Sequence, residues 1–362
     1  MPVIDADALI ENRVEAIRAY HDQCGVPKGA LDVSGGIDSA VMAMLLVKAL
    51  GAQNCIFDHT IIHTDTKQTL KAENLCSALG VPLAVGDFTE VFRDIVSEVI
   101  GSIQTAYDVA NPNIGREIRA RMQNDATIQG SIRSTLRAPL GRAYNRILGG
   151  GIRHGTGNEC EDRWLRFYQK GGDGEVDTNP IAMLSKSEVY QLAYALGHEM
   201  GIYESVRPII ESTPSPDLWG KGEEVHTDEA ELKSWLGVPF TYGRINPDTG
   251  EVTHHGTIER VSRLLDVETP YLDVRYSSPM RVEAVLFDSR EEPDWKYLDT
   301  FATRQPCWQP VPKGMVLAFL KAARKAEAQT RHKENPNIPM LGTRKELVKA
   351  GILTNELPQV AE

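Results

Sequence analysis

Ser34-Gly35-Gly36-Ile37-Asp38-Ser39 is the segment of the chain best suited to holding an anion. Glycines at the end of a strand let backbone N–H groups converge on a phosphate, and the N-terminus of a following helix adds a favourable dipole. Ser34 and Ser39 add hydroxyl donors. The segment has no Gly-Lys-Ser/Thr, so it is not a Walker A loop, and it lacks the spaced glycines of a dinucleotide fingerprint. Asp38 is the unusual residue, because a carboxylate inside a phosphate nest repels the ligand. A Mg²⁺ lying between Asp38 and the phosphates removes that conflict. An Asp/Ser helix N-cap with glycines shaping the turn is the simpler explanation. The complete string, set between an apolar strand and an apolar helix, favours a nucleotide pyrophosphate site.

The flanking pattern supplies those elements. Residues 8–22 carry apolar side chains at helical spacing. Residues 30–33 read as a strand, residues 39–51 as an apolar helix, residues 55–62 as a second strand and residues 81–85 as a third, with a helix ending at Leu79-Gly80 between the last two. Strands alternating with helices at this spacing predict right-handed βαβ units and a parallel sheet. From Asp87 to about Gly150 the chain reads mostly helical, its arginines on a solvated face. Gly149 to Gly157 reads as a turn. Ser185 and Glu188 have capping-box spacing at the head of a helix over 185–197. Residues 239–256 predict two strands around Pro247-Asp248-Thr249-Gly250, residues 288–313 read as irregular, and residues 314–331 as a helix.

Composition narrows the class. The 362 residues are 41% hydrophobic and 25% charged, with 39 Lys plus Arg against 50 Asp plus Glu and a net charge of −11. That balance opposes a protein built to neutralise nucleic-acid phosphates. The five cysteines are scattered and form no CxxC pair, which suits a reducing compartment and no zinc ribbon. The N-terminus lacks the basic-then-apolar order of a secretory signal, and no apolar run approaches the roughly 20 residues that cross a bilayer. These features predict a cytoplasmic location and no membrane partner.

The string at 34–39 resembles the PP-loop of the ATP pyrophosphatases, which cleave ATP between the α- and β-phosphates and adenylate a substrate oxygen. The resemblance implies an α/β, Rossmann-like parallel sheet flanked by helices. Further segments resemble NAD synthetases, in the family's order. Gly155-Thr156-Gly157-Asn158 followed by Glu161 and Asp162 is similar to a segment whose Thr meets ATP and whose acid binds Mg²⁺; Glu161 is preferred to Asp162 as the ligand. Lys170-Gly171-Gly172-Asp173-Gly174-Glu175-Val176-Asp177 is similar to a loop that contacts deamido-NAD, with Asp177 near the reacting carboxyl. Asn179-Pro180-Ile181 and Lys186 continue the match, Lys186 falling on the ATP phosphates. Pro214-Ser215-Pro216-Asp217-Leu218-Trp219 places Ser215 near ATP. Thr227-Asp228-Glu229-Ala230-Glu231-Leu232 resembles the segment that follows it. Thr330-Arg331-His332-Lys333 resembles a C-terminal stretch that closes over the substrate.

By resemblance, therefore, Asp38, Asp177 and Lys186 are the catalytic candidates. Ser34, Gly35, Gly36, Ile37, Asp38, Ser39, Thr156, Lys186 and Ser215 would bind ATP. Arg137, Lys170, Asp177, His332 and Lys333 would bind deamido-NAD, and Asp38 and Glu161 would hold Mg²⁺. The implied reaction is deamido-NAD + ATP + NH₃ → NAD + AMP + PPi, with ATP as co-substrate. Glutamine-dependent members carry a glutaminase domain before the PP-loop, whereas 33 residues precede Ser34 here. Free ammonia, or a separate glutaminase, is the expected nitrogen source. The family also implies a homodimer.

Two departures stand out. Gly130 to Pro139 resembles an arginine-bearing family segment in which Arg137 falls on the second arginine, but Thr135 replaces the first, and Arg133 is the nearest substitute. Residues 240–312 match no counterpart in compact members. The alternative these raise is a related PP-loop amide synthetase acting on a different carboxylate. The expected division is a PP-loop core over 1–238, an inserted α+β elaboration over 239–312, and a helix with a His-Lys tail over 313–362.

Overall fold

A computed structural model describes residues 5–108, 111, 113–215, 227–269, 280–287, 292–309, 311, 314–333 and 340–357. Helix α1 (Ala6–Cys24) is capped by the Asp5 carboxylate, which accepts from Ala8 N, and packs Leu9, Val14 and Ile17 inward. Strand β1 (Gly29–Asp32) then leads through residues 33–36 into α2 (Ile37–Leu50), whose ten buried residues put it at the centre of the core. Strand β2 (Cys55–Ile61), helix α3 (Thr66–Leu79) and strand β3 (Leu83–Asp87) repeat the unit. Helices α4 (Thr89–Asp108), α5 (Ile114–Asn124) and α6 (Ala126–Ile147) follow, as the mostly helical reading of this stretch predicts.

The glycine-rich stretch 149–157 differs from its reading as a turn. It contains a short strand, β4 (Ile152–Arg153), which pairs in parallel with β1, and His154 bridges to Thr178. The sheet order is β3-β2-β1-β4, all parallel. The chain moves outward from β1 through β2 and β3, then returns to lay β4 on the other side of β1. The crevice beyond the carboxyl ends of β1 and β4 is therefore the switch point at which open α/β sheets bind ligands.

A four-residue helical turn, α7 (Glu159–Asp162), carries the acids after Gly155-Thr156-Gly157, and the Asn158 side chain caps it. Helix α8 (Lys186–Glu199) begins with the predicted Ser185/Glu188 capping box, and α9 (Tyr203–Ile210) closes the first core against α2 and α3. Helix α10 (Asp228–Leu236) is capped by Thr227. The Pro-Asp-Thr-Gly turn joins antiparallel strands β5 (Arg244–Ile245) and β6 (Val252–His254), as read from the sequence.

Helix α11 (Thr257–Leu265), strands β7 (Glu268–Thr269) and β8 (Met280–Arg281), and helices α12 (Val282–Phe287), α13 (Trp295–Ala302), α14 (Met315–Thr330) and α15 (Arg344–Lys349) complete the described chain. Helix α13 is a correction to the irregular reading of 288–313. Asp294 caps it by accepting from Tyr297 N, and Leu298 and Ala302, four apart, bury one face. The prolines and acids that suggested a loop lie mostly outside that turn of chain.

Among the described residues, two hydrophobic cores result. The first joins α1, α2, α3, α8 and α9 to the sheet, and α15 returns to it through Leu347. The second gathers Trp164 and Leu165 with side chains of α10, α11, α12, α13 and α14. Side chains from 160–165, α10, residues 240–308 and α14 thus share one core, packed around the segment that carries the α7 acids. Among the described residues no helix is long and apolar enough to cross a membrane.

Candidate active site

The loop after β1 is shaped for an anion. Gly36 caps α2 without any side-chain hydrogen bond, so the first N–H groups of the helix have no side-chain acceptor. Ser34 Oγ lies 3.0 Å from Ser39 Oγ, and Ser39 Oγ also donates to Gly36 O. The backbone turns at Gly35, at φ +81°, and a Cβ there would lie 2.3 Å from the Gln68 carbonyl oxygen. Only glycine fits both the conformation and the space. Ser39 faces inward as a strut of the loop, while Ser34, Gly35, Gly36, Ile37 and Asp38 line a cleft of about 480 Å³. That volume lies within the usual range for small-ligand sites.

Three charged residues meet at one side of this cleft. Lys186, at the first position of α8, is 2% exposed, and its Nζ lies 2.6 Å from Asp38 Oδ2 and 2.7 Å from Glu161 Oε1. Asn158 Nδ2 donates to the other Asp38 oxygen at 2.9 Å while its own oxygen caps α7. One asparagine thus ties the acid turn to the head of α2. Burial opposes the Lys186 charge, but Asp38 and Glu161 outweigh it and hold the ammonium well above its ordinary pKa. Burial raises Glu161, with Lys186 pulling it back. Asp162 points elsewhere: it accepts from Asn179 Nδ2 at 2.6 Å, and burial raises it well above the carboxylate range. The residue that shares Lys186 with Asp38 is Glu161.

Across the cleft, Arg137 and Ser134 on α6 line the wall, with Gln68 and Lys71 from α3 and Ser212 to Ser215 after α9. Ser215 is the last described residue of its motif; residues 216–219 lie outside the described residues. Thr156 lines two further cavities, of about 880 and 210 Å³, that flank the 155–176 segment. Thr135 faces away, its hydroxyl donating to Ser131 O. Arg133 is buried in the protein, 2% exposed, and is not a wall of the described cavities.

The C-terminal stretch reaches the same place. Lys333 Nζ donates to Tyr168 O at 2.7 Å and Arg166 O at 3.2 Å, and Tyr168 Oη donates back to Lys333 O at 2.7 Å. Lys333 lines the cleft, and burial lowers its pKa against the pull of Asp173 and Glu231. Arg166 holds its carbonyl in place at φ +45°, a region uncommon for a residue with a side chain. Lys170 Nζ donates to His332 O at 3.4 Å, so Lys170 and the exposed His332 latch the two segments together outside the cleft. The prolines at 336 and 339 lie outside the described residues.

Asp177, like Lys170 and His332, is a candidate outside the cleft. Its Oδ2 accepts from Arg153 N at 2.8 Å, its Oδ1 lies 3.7 Å from Arg142, and it does not line the described cavities. Asp173, from the same loop, lines all three. Ser134 Oγ and Gln169 N hold its carboxylate at 2.9 and 2.8 Å. Asp228 and Glu231, part of a family-like segment to which the sequence assigned no role, both line the cleft, and burial raises Asp228 to about 7 while Lys186 pulls it down. Tyr168, Gln68 and Lys71 carried no signal of their own in the sequence.

The family model described as NAD synthase matches residues 9–242. An NH(3)-dependent NAD(+) synthetase of Methanococcoides burtonii is 31% identical over 233 residues, 64% of this chain and 75% of that protein. The NH(3)-dependent NAD(+) synthetase of Methanosarcina acetivorans is 32% identical over 229 residues, 61% of this chain and 75% of that protein. Among solved structures, an NMN synthetase from Francisella tularensis superposes with a TM-score of 0.48 at 22% identity, covering 63% of this chain and 82% of that one. A PP-loop at the switch point of a parallel sheet, with Asp38, Glu161 and Lys186 gathered beside it, and a match over most of the chain lead to one assignment: the chain belongs to the NAD synthase family.

Proposed function

We propose that the protein amidates the nicotinate carboxylate of deamido-NAD, consuming ATP and ammonia and releasing NAD, AMP and pyrophosphate. The observation that carries this reading is the buried Lys186 ammonium held between Asp38 and Glu161 beside an uncapped helix N-terminus. A carboxylate resists attack by ammonia because it is anionic and its oxygen leaves poorly. Transfer of AMP to that oxygen gives a mixed anhydride, and the bond between the α-phosphorus and the bridging oxygen breaks as pyrophosphate leaves. The head of α2 and the hydroxyl of Ser34, braced from inside the loop by Ser39, stabilise the departing charge, and Lys186 neutralises part of it. Thr156 and Ser215 bound the adenylate from the neighbouring walls. Ammonia then attacks the carbonyl carbon, AMP departs, and the extra proton on nitrogen passes to a carboxylate. Asp177 is the acceptor that the family pattern proposes, and Asp173 is the loop acid that lines the cleft.

Asp38 and Glu161 fit a Mg²⁺: they are hard oxygen donors facing one another across a single ammonium, and Mg²⁺ commonly takes one or two carboxylates with phosphate oxygens and water. When bound, the ion would supply Lewis-acid neutralisation of the phosphates. Arg137 and Lys333 meet the dinucleotide from the cleft in this reading, and Lys170 and His332, which the family pattern also assigns to it, hold the 331–333 turn over 166–170. The protein works in the cytoplasm as a homodimer, using free ammonia or ammonia from a separate glutaminase. Exposed Val99, Ile103 and Tyr107, four apart on α4, support pairing with a second copy. The test is production of NAD by the pure protein from deamido-NAD, ATP and ammonium, together with loss of pyrophosphate release in Asp38→Ala. An unchanged rate in that variant refutes the site.

A further inference from the structure

The elaboration after residue 238 touches the catalytic lysine from behind. The family model stops at Tyr242, and α11 lies wholly beyond it. Four residues of the α11 stripe, Glu259, Ser262, Arg263 and Asp266, follow i, i+3, i+4, i+7 spacing and so share one face of the helix line. Glu259 is fully buried, and its Oε1 accepts from Ser187 N at 2.7 Å, the residue directly after Lys186. Ser262 Oγ accepts from Trp164 Nε1 at 3.1 Å and its carbonyl accepts from Arg163, both just after the α7 acids. Arg263 pairs with Glu159, and Asp266 accepts from Arg163 at 2.8 Å. One helix face therefore grips the turn bearing Glu161 and the head of the helix bearing Lys186.

Tyr242 completes the contact. Its ring lies under the Lys186 ammonium, 5.0 Å from Nζ to centroid, and the residue is fully buried. A cation over an aromatic face is stabilised by the ring quadrupole, more so where water is excluded. The Tyr242 N–H is fixed by Glu229 Oε1 at 2.9 Å. The close approach depends on Gly243, where a Cβ would lie 2.6 Å from Glu259 Oε1 and 2.7 Å from Ser187 Cβ.

We infer that Glu259 and Tyr242 are positioning residues for Lys186, and that α11 holds Lys186 and Glu161 in register across the cleft. Neither residue lines the cleft, so each acts through Lys186 and not on substrate. The inference rests on the reading of Lys186 as the phosphate-side cation of the proposed reaction. Misplacement of a catalytic group by a fraction of an ångström to an ångström costs up to about a hundredfold, so intermediate losses are expected from weakening one support.

The test compares Tyr242→Leu with Tyr242→Phe, and Glu259→Ala with Glu259→Gln. It measures kcat, KM for deamido-NAD, Kd for α,β-methylene-ATP by calorimetry, and Tm. The Gln amide oxygen can still accept from Ser187 N, and Phe keeps the ring. Tyr242→Leu and Glu259→Ala should each lower kcat about tenfold and weaken the nucleotide by a similar factor, leaving KM for deamido-NAD within about twofold. The Phe and Gln variants should restore both quantities. A loss shared equally by both substrates, or one that Phe and Gln do not restore, overturns the inference, as does wild-type behaviour in Tyr242→Leu. If Glu259→Ala fails to fold, the Tyr242 pair decides. If the wild type makes no NAD from deamido-NAD, the functional reading falls separately, and the nucleotide Kd series alone decides the positioning role.

Discussion

Lys186 Nζ sits 2.6 Å from Asp38 Oδ2, across 148 positions of sequence, and this pair joins the head of α8 to the head of α2. With Glu161 it makes a charged cluster whose three members come from three different segments. A lysine at the first turn of a helix is disfavoured by the helix dipole, and at the surface it would be an unremarkable solvated side chain. Here it is 2% exposed, so its two carboxylate partners are what keep it charged in place.

Replacing Lys186 by Met therefore has two consequences. It leaves Asp38 and Glu161 as partly buried carboxylates without their shared cation, which should lower stability by about 3–5 kcal/mol. It also removes positive charge from the departing pyrophosphate, for a loss in kcat of about 10²–10³. Urea unfolding and a pyrophosphate-release assay measure the two separately.

Gly35→Ala should damage nucleotide binding through geometry alone. The new Cβ would fall 2.3 Å from Gln68 O at a φ of +81°. Gly80, at φ +69° with nothing within 4 Å, is the matched control. Gly80→Ala should cost about 1 kcal/mol of stability and leave ATP affinity alone, whereas Gly35→Ala should weaken ATP binding by at least about tenfold. Calorimetric titration with a non-cleavable ATP analogue separates the two.

Within the 170–177 loop, Asp173→Ala should reduce kcat more than Asp177→Asn. Asp173 lines the cleft, while the Asp177 carboxylate is committed to Arg153 N and Arg142. A loss of about 10² for Asp173→Ala is the scale expected for a general acid–base group. Steady-state kinetics on both variants checks the order; a larger loss at Asp177 supports the assignment drawn from the family pattern.

The buried His21–His154 pair sets a pH dependence of stability. The two Nε2 atoms are 2.9 Å apart, and His21 Nδ1 donates to Val26 O, so His154 Nε2–H is the donor between the rings. Burial, with His21 beside it, lowers His154 to about 3. The unfolded chain, with an ordinary His pKa near 6.5, then binds a proton that the folded chain refuses. The contribution is complete above about pH 6.5 and is lost progressively as pH falls from there toward 3. Between pH 7 and 5 this amounts to about 2 kcal/mol. Asp58 works in the opposite direction: burial and Asp32 raise it to about 7 against Arg153, so the folded state gains stability as pH falls from there toward the ordinary carboxylate value. Comparing urea unfolding of wild type and His154→Gln at pH 7 and pH 5 isolates the histidine term.

Much of the site was legible because backbone chemistry leaves a local signature. Ser34 to Ser39 declared its turn and its helix N-terminus, and Ser185 with Glu188 declared its cap. Three-dimensional convergence has no such signature. Nothing adjacent to Lys186 in sequence indicates that Asp38 and Glu161 enclose it; only the order of family motifs connected them. Spacing also could not tell Asp173 from Asp177, because the loop's direction depends on Ser134 and Gln169 holding one of them. The short strand β4 was hidden among glycines because two residues carry no periodicity, and α13 was hidden by flanking prolines and acids. Arg133 looked like a substitute for the arginine missing at Thr135, but helix phase turns it into the protein.

Transfer of oxygen from the nicotinate carboxylate to AMP is the signature of an adenylated carboxylate, and isotope labelling reads it. Deamido-NAD labelled with ¹⁸O in its nicotinate carboxylate is turned over with ATP and ammonium, and the products are analysed by mass spectrometry. Adenylation leaves one ¹⁸O in each AMP and none in pyrophosphate, and gives one AMP for each NAD formed. Unlabelled AMP, or ADP with labelled inorganic phosphate, would contradict it.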